Sequence, residues 1–179
     1  VPMASVCERG TFFDDTLKRC RPGRAVYGNC EELTLLEAPI QTDTVLATGG
    51  CFRVARTLVG EADAALTLQP GVVVLFEQDA GLRIETGKLV GAGTAERPVV
   101  LTGRDGTPGE WTGVYASDAG ADALSLTHVV IEYAGGLGPN NRRAGLQIEG
   151  ATGLRADHLT IENSAGWGRY EEEAEFVGL

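Results

Sequence analysis

Aromatic residues make up only 6 % of this 179-residue chain, which holds two histidines and one methionine. A scarcity of large rings argues against a globule filled by aromatic packing, and 25 glycines favour many tight turns with small residues stacked between them. Long apolar runs are also missing. The longest, Val72 to Phe76, is far short of the ~20 residues that span a bilayer, and no basic segment followed by an apolar one opens the chain. Basic charge is in deficit: 15 Lys and Arg stand against 25 Asp and Glu, for a formal net charge of −10. That field repels polyphosphate, which excludes nucleic acid as an expected partner. Neither a G-x-S-x-G elbow, a P-loop nor a dinucleotide-binding fingerprint occurs; Gly91-Ala92-Gly93 follows an expected strand but opens no helix.

What the chain does contain is a segment written twice. LSLTHVVIEYAGG (Leu124 to Gly136) aligns without a gap on LRADHLTIENSAG (Leu154 to Gly166), thirty positions on. Leu124 meets Leu154, His128 meets His158, Ile131 meets Ile161 and Glu132 meets Glu162. A period of this length is the mark of a repeat architecture in which each unit buries its apolar face on its neighbours. Around the repeat lie short runs of alternating or continuous apolar residues, separated by glycine, proline and aspartate. Expected strands are 51–54, 65–68, 72–76, 82–84, 88–90, 99–102, 111–115, 124–126, 129–133, 146–148, 154–156 and 159–162. Only Glu31 to Glu37 and the acidic tail Tyr170 to Val177 have any helical character. Many short strands also suit a sandwich or a barrel, but those folds do not normally repeat without gaps at this period. The repeat therefore favours a parallel β-helix, with like residues stacked on successive coils and glycines such as Gly71, Gly93, Gly113, Gly135 and Gly166 at the bends.

The four cysteines, Cys7, Cys20, Cys30 and Cys51, lie in the first 51 residues, and none shows C-x-x-C spacing. Two disulfides are the expected reading, with Cys7–Cys20 and Cys30–Cys51 preferred because each loop is short; free buried thiols are the alternative. Disulfides imply an oxidising compartment: the periplasm, the outer surface or the cell exterior. Residues 1–29 read as a cysteine-bearing cap or linker and residues 30–179 as the repeat body.

The run LTLQPGVVVLFEQDAGLRIETGKLVGAGTAERPVVLTG (Leu66 to Gly103), then WTGVYAS (Trp111 to Ser117), then LSLTHVVIEYAGG, resembles the right-handed parallel β-helix repeat proteins of bacterial surfaces and secretions. The resemblance covers about Cys51 to Gly168. It implies an all-β, right-handed parallel β-helix and further coils after Gly168, so that the chain is similar to a piece of a longer protein. The fold hosts lyases, epimerases, adhesins and inert stalks, so the likeness bears weakly on function.

Candidate site residues follow from the stacking. His128 and His158, one coil apart, could share a metal or a proton, and are otherwise a side-chain ladder at a bend. Glu132 and Glu162 form a second stacked pair, for which calcium is a candidate ion; alternation puts them on the outward side of their strand, where a solvated ladder is the plainer reading. Polysaccharide lyases of this fold resemble one another in using acidic calcium ligands and a basic residue. Arg142 and Arg143, in the loop Gly135 to Arg143, and Asp118 with Asp122 are the residues such a template would draw on, although no local motif matches it. Trp111, Tyr115 and Trp167 could stack on sugar rings, or else fill the core. The function expected is a non-catalytic exported scaffold at a bacterial cell surface that presents a face to a glycan or a surface protein, without a cofactor. The alternatives are a polysaccharide lyase acting on uronate polymers, and a structural stalk that self-associates through the edge of its last coil.

Overall fold

The computed structural model describes side chains at residues 30, 32–37, 39–119, 122–139, 141–150 and 152–166, and backbone alone at 11–14, 19–22, 120, 121, 140, 167–172 and 175–177. The protein is all-β, with about 51 % strand and no α-helix among the described residues. The chain divides into two compact units, Val1–Leu33 and Thr34–Leu179. In the first, β1 (Thr11–Asp14) and β2 (Arg19–Pro22) form an antiparallel hairpin with Phe13 opposite Cys20. Cys30 and Cys51 are joined in a disulfide, as expected from their spacing. The Cys7–Cys20 pairing lies outside the described residues.

Among the described residues, every strand of the second unit pairs in parallel. They are β3 (Thr34–Leu36), β4 (Thr44–Leu46), β5 (Cys51–Val54), β6 (Leu58–Gly60), β7 (Ala65–Leu68), β8 (Val73–Phe76), β9 (Leu82–Ile84) and β10 (Lys88–Ala92). There follow β11 (Val99–Gly103), β12 (Val114–Ser117), β13 (Gly120–Glu132), β14 (Ala144–Glu149), β15 (Thr152–Glu162), β16 (Trp167–Glu172) and β17 (Glu175–Val177). One sheet has ten strands; the other has five, in the order β16-β14-β12-β9-β6. The long strand β13 belongs to two runs at once, pairing with β10 through Leu124 to Thr127 and with β11 through Val129 to Glu132. Between them His128 sits at φ +46°, and His158 occupies the same place in β15 at φ +55°. A left-handed residue turns the strand there without ending it.

Three ladders of like residues make the core. Leu66, Leu89, Leu124 and Leu154 stand in one register; Val74, Leu101, Ile131 and Ile161 in a second; Leu82, Val114 and Leu146 in a third. Nearly all are fully buried in a single apolar cluster, and each large aliphatic side chain removed from water contributes about 1.5–3 kcal/mol. The pairing of β13 with β15 sets Leu124 on Leu154, Ile131 on Ile161 and Glu132 on Glu162, the alignment seen in the repeat. Val73, Leu75 and Val100 alternate away from this cluster yet are also buried. These strands are covered on both faces, which explains why β8 and β11 read as continuous apolar runs.

Gly93 shows what a bend demands. A Cβ there would collide with the carbonyl oxygen of His128 on the next strand, so only glycine lets the two backbones approach.

Several expectations are corrected. Glu31 to Glu37 is not helical, since Thr34–Leu36 pairs with Phe52 to Val54 as a strand. The tail, too, is strand at 167–172 and 175–177; pairing to β14 and β15 overrides the helical preference of its glutamates. The strand expected over 111–115 begins only at Val114, because Trp111 is used as a core plug ahead of it.

Candidate functional site

The five-stranded sheet carries the site. Its outward column runs Val59, Arg83, Tyr115, Gln147, in direct register across β6, β9, β12 and β14. Strand neighbours lie about 4.8 Å apart, so side chains of consecutive rungs touch. The Arg83 guanidinium stands over the Tyr115 ring, 5.4 Å from its centroid, within the range of a cation–π contact. Its Nε is paired with Glu85 at 2.9 Å. Tyr115 donates its hydroxyl proton to Glu149 at 3.1 Å, and Gln147 Nε2 donates to the other oxygen of the same carboxylate at 2.7 Å. The ring is thereby fixed at both ends. Burial pushes the Tyr115 phenol above its ordinary value, and the Glu149 carboxylate adds to the rise against a lowering hydrogen bond from Ser117.

A wall stands beside this column. The loop between β13 and β14 turns through Gly135 at φ +85° and a 3₁₀ turn at Pro139–Asn141. Gly138 N–H donates to Arg142 O, Arg142 N–H donates to Pro139 O, and Gln147 Nε2 reaches Pro139 O at 3.5 Å. The loop so held places Leu137, 56 % exposed, and Pro139 opposite Tyr115. Between wall and sheet is an open cleft of about 240 Å³, lined also by Asp79, Leu82, Arg83 and Thr112. Drug-sized ligands occupy roughly 300–1,000 Å³. The cleft therefore suits one unit of a polymer rather than a whole small ligand.

The remaining expected residues distribute as follows. Trp111 is not a surface aromatic: it is fully buried, stacked on Phe76 at 4.0 Å and 7°, with Nε1 donating to Glu132 O at 2.8 Å. It belongs to the core, and its expected role in ligand binding is withdrawn. Glu132 does not face solvent either. It alternates outward as expected but is fully buried, because the segment before β12 returns onto this end of the strand: Gly109 N–H donates to Ala134 O and Glu110 N–H to Tyr133 O. Its Oε1 accepts from Thr102 Oγ1 at 2.8 Å. Glu162, its partner in register, is half-buried.

His128 and His158 stack at 4.3 Å between centroids, 20° from parallel, and His158 Nδ1 pairs with Asp157 at 2.7 Å. Parallel rings aim their lone pairs side by side instead of at a common point. No cluster of three or more His, Cys, Asp or Glu able to hold a metal occurs among the described residues. Asp122 is engaged with Arg155 at 2.8 Å, and Asp118 sits at a bend with φ +50°. Arg142 is half-buried and Arg143 exposed; the loop lines the cleft through Leu137, Gly138 and Pro139 instead. The Trp167 side chain lies outside the described residues.

Of the expected ligand-binding residues whose side chains are described, Tyr115 alone lines the cleft; Arg83 and Asp79 of the lining, and Glu149 and Gln147 that hold the ring, were not foreseen. A signal existed. Arg83, Tyr115 and Gln147 are spaced at a constant thirty-two positions, but they share no chemistry and so leave no visible repeat. Among the described residues no helix is long and apolar enough to cross a membrane. Comparison with family models, with curated proteins and with solved structures gives no match.

Proposed function

We propose that the second unit is a right-handed parallel β-helix and that the protein is a non-catalytic exported scaffold at a bacterial cell surface, holding a glycan in the Tyr115 cleft. The fold reading is supported by the parallel registers and by the like-on-like ladders Leu66 to Leu154 and Val74 to Ile161. The Cys30–Cys51 disulfide supports an oxidising compartment.

The single observation that carries the binding reading is the anchored ring of Tyr115, clamped between Arg83 and Glu149 at the floor of a walled cleft. The ring, 8 % exposed and fixed at its hydroxyl, gives a sugar a small apolar floor that needs no ordering when the ligand arrives. Thr112 and the backbone of Gly138 supply neutral polar groups beside it. Net charge of −10 weighs against nucleic acid, as before. A surface protein is the second class of partner, and the exposed Leu137 is the feature that would serve it. The lyase alternative has less support, because Arg142 and Arg143 have no acidic constellation with metal-binding character beside them among the described residues.

The test is retention on immobilised glycans of defined composition, run with the wild type and with Tyr115→Ala, alongside absorbance of unsaturated uronate after incubation with uronate polymers. Retention that is lost in Tyr115→Ala, with no absorbance rise, supports the reading. Retention indifferent to Tyr115 would remove the cleft from the account, and an absorbance rise would make the protein a lyase.

A further inference from the structure

We infer that the Tyr115 cleft selects a sugar unit bearing an ammonium group, a hexosamine, and rejects a uronate. This rests on the reading of the cleft as a glycan site and adds the charge of the unit that fits it.

Among the described residues, the carboxylates near the ring outnumber the cations. Arg83 is the one cation of the cleft lining among the described residues; its Nε is paired with Glu85 at 2.9 Å, and its guanidinium carbon lies 5.4 Å from the centre of the Tyr115 ring. Against it stand three carboxylates. Glu85 neutralises it; Glu149 receives the Tyr115 hydroxyl and the Gln147 amide; Asp79 lines the cleft and makes no ion pair among the described residues. A uronate carboxylate entering here meets Asp79, and the guanidinium it could turn to is already shared with Glu85. The cost of bringing a like charge into a partly desolvated cleft falls on the ligand. A protonated amine meets the opposite situation. It finds the exposed Asp79 in the cleft lining and a chain of formal charge −10 behind that draws it in.

The backbone geometry keeps Asp79 in place. It sits at φ +61°, its N–H donating to Glu110 O at 2.8 Å, so the turn that carries it is fastened to the next layer. Asparagine tolerates the same left-handed conformation, which makes Asp79→Asn a clean removal of charge.

The experiment is calorimetric titration of the wild type, Tyr115→Ala, Asp79→Asn and Glu96→Gln with glucosamine, N-acetylglucosamine and galacturonate oligomers of equal length and with a lysine-rich peptide. Glu96 is exposed and is no part of the cleft lining, so its variant removes the same net charge from elsewhere. The inference predicts that glucosamine oligomers bind about tenfold or more tighter than the other two sugars. Asp79→Asn should erase that preference and Glu96→Gln should leave it intact, while added salt weakens it. Equal losses in Asp79→Asn and Glu96→Gln would overturn the inference in favour of a diffuse field. Binding of neutral or uronate oligomers as tightly as glucosamine, still dependent on Tyr115, would overturn it while sparing the glycan site. A peptide that binds more tightly than any sugar through Tyr115 and Asp79 would replace it with a protein partner. Absence of binding by every oligosaccharide would defeat the glycan reading itself. Asp79→Asn keeps the test decisive if Tyr115→Ala fails to fold.

Discussion

Trp111 lies flat on Phe76, their ring centroids 4.0 Å apart and their planes 7° from parallel, with the indole N–H delivered to the backbone oxygen of Glu132. One residue thus fills the core and satisfies a carbonyl at the end of β13. Trp111→Ala is expected to cost about 3–5 kcal/mol, the range for emptying a buried aromatic site. Trp111→Phe should cost less, losing the hydrogen bond but keeping the stack. Denaturant unfolding checks both, and a Trp111→Ala variant as stable as the wild type would refute the buried plug.

The buried carboxylate of Glu132 depends on its neighbour. Thr102→Val preserves shape and removes the hydroxyl that donates to Glu132 Oε1 at 2.8 Å. Loss of the donor to a buried acceptor is expected to cost about 1–3 kcal/mol. Thr160→Val, on an exposed site, should stay within about 0.5 kcal/mol. Paired unfolding curves distinguish them, and equal midpoints would show that Glu132 draws nothing from Thr102.

The histidine ladder trades backbone strain against ring stacking. His158 holds φ +55°, a conformation that costs a non-glycine residue about 1–2 kcal/mol, while its stack on His128 returns roughly 0.5–1.5 kcal/mol. His158→Gly is therefore expected to be close to neutral, and His158→Val clearly destabilising, because a β-branched side chain suits this region least. Thermal melting of the two variants gives the comparison. A stable Val variant would contradict the bend geometry.

Alkaline pH acts through Tyr115. Its phenol titrates above the ordinary value of 10.0 in the native state, so between the two values the native protein holds a proton that the unfolded chain releases. Stability from this group is complete below the ordinary value and is lost as pH rises through the native one. Unfolding free energy of the wild type should fall more steeply than that of Tyr115→Phe across this window. Parallel slopes would mean that the phenol is not held by its surroundings.

Much of the second unit was legible in the sequence because its core repeats itself. The thirty-residue offset that sets Ile131 on Ile161 is visible as identity, and the observed register reproduces it. Short strands such as β4 and β6 were missed, since three residues leave too little pattern to read. The tail misled because glutamate favours helix locally, while its backbone is committed to pairing with β14 and β15. The cleft was nearly invisible. Arg83, Tyr115 and Gln147 have a common register but different chemistry, and the loop carrying Leu137 supplies the wall from outside the repeat. The outward alternation of Glu132 was correct, but its exposure was not: alternation reports which side of a strand a residue faces and says nothing of what returns to cover it.

Amide chemical-shift mapping during titration with glucosamine oligomers locates the bound sugar on the molecule. Binding at the Tyr115 cleft moves Asp79, Arg83, Tyr115, Leu137 and Gln147 and leaves the His128 and His158 bend unmoved. Shifts centred elsewhere, or none at saturating sugar, would show that no glycan occupies the cleft.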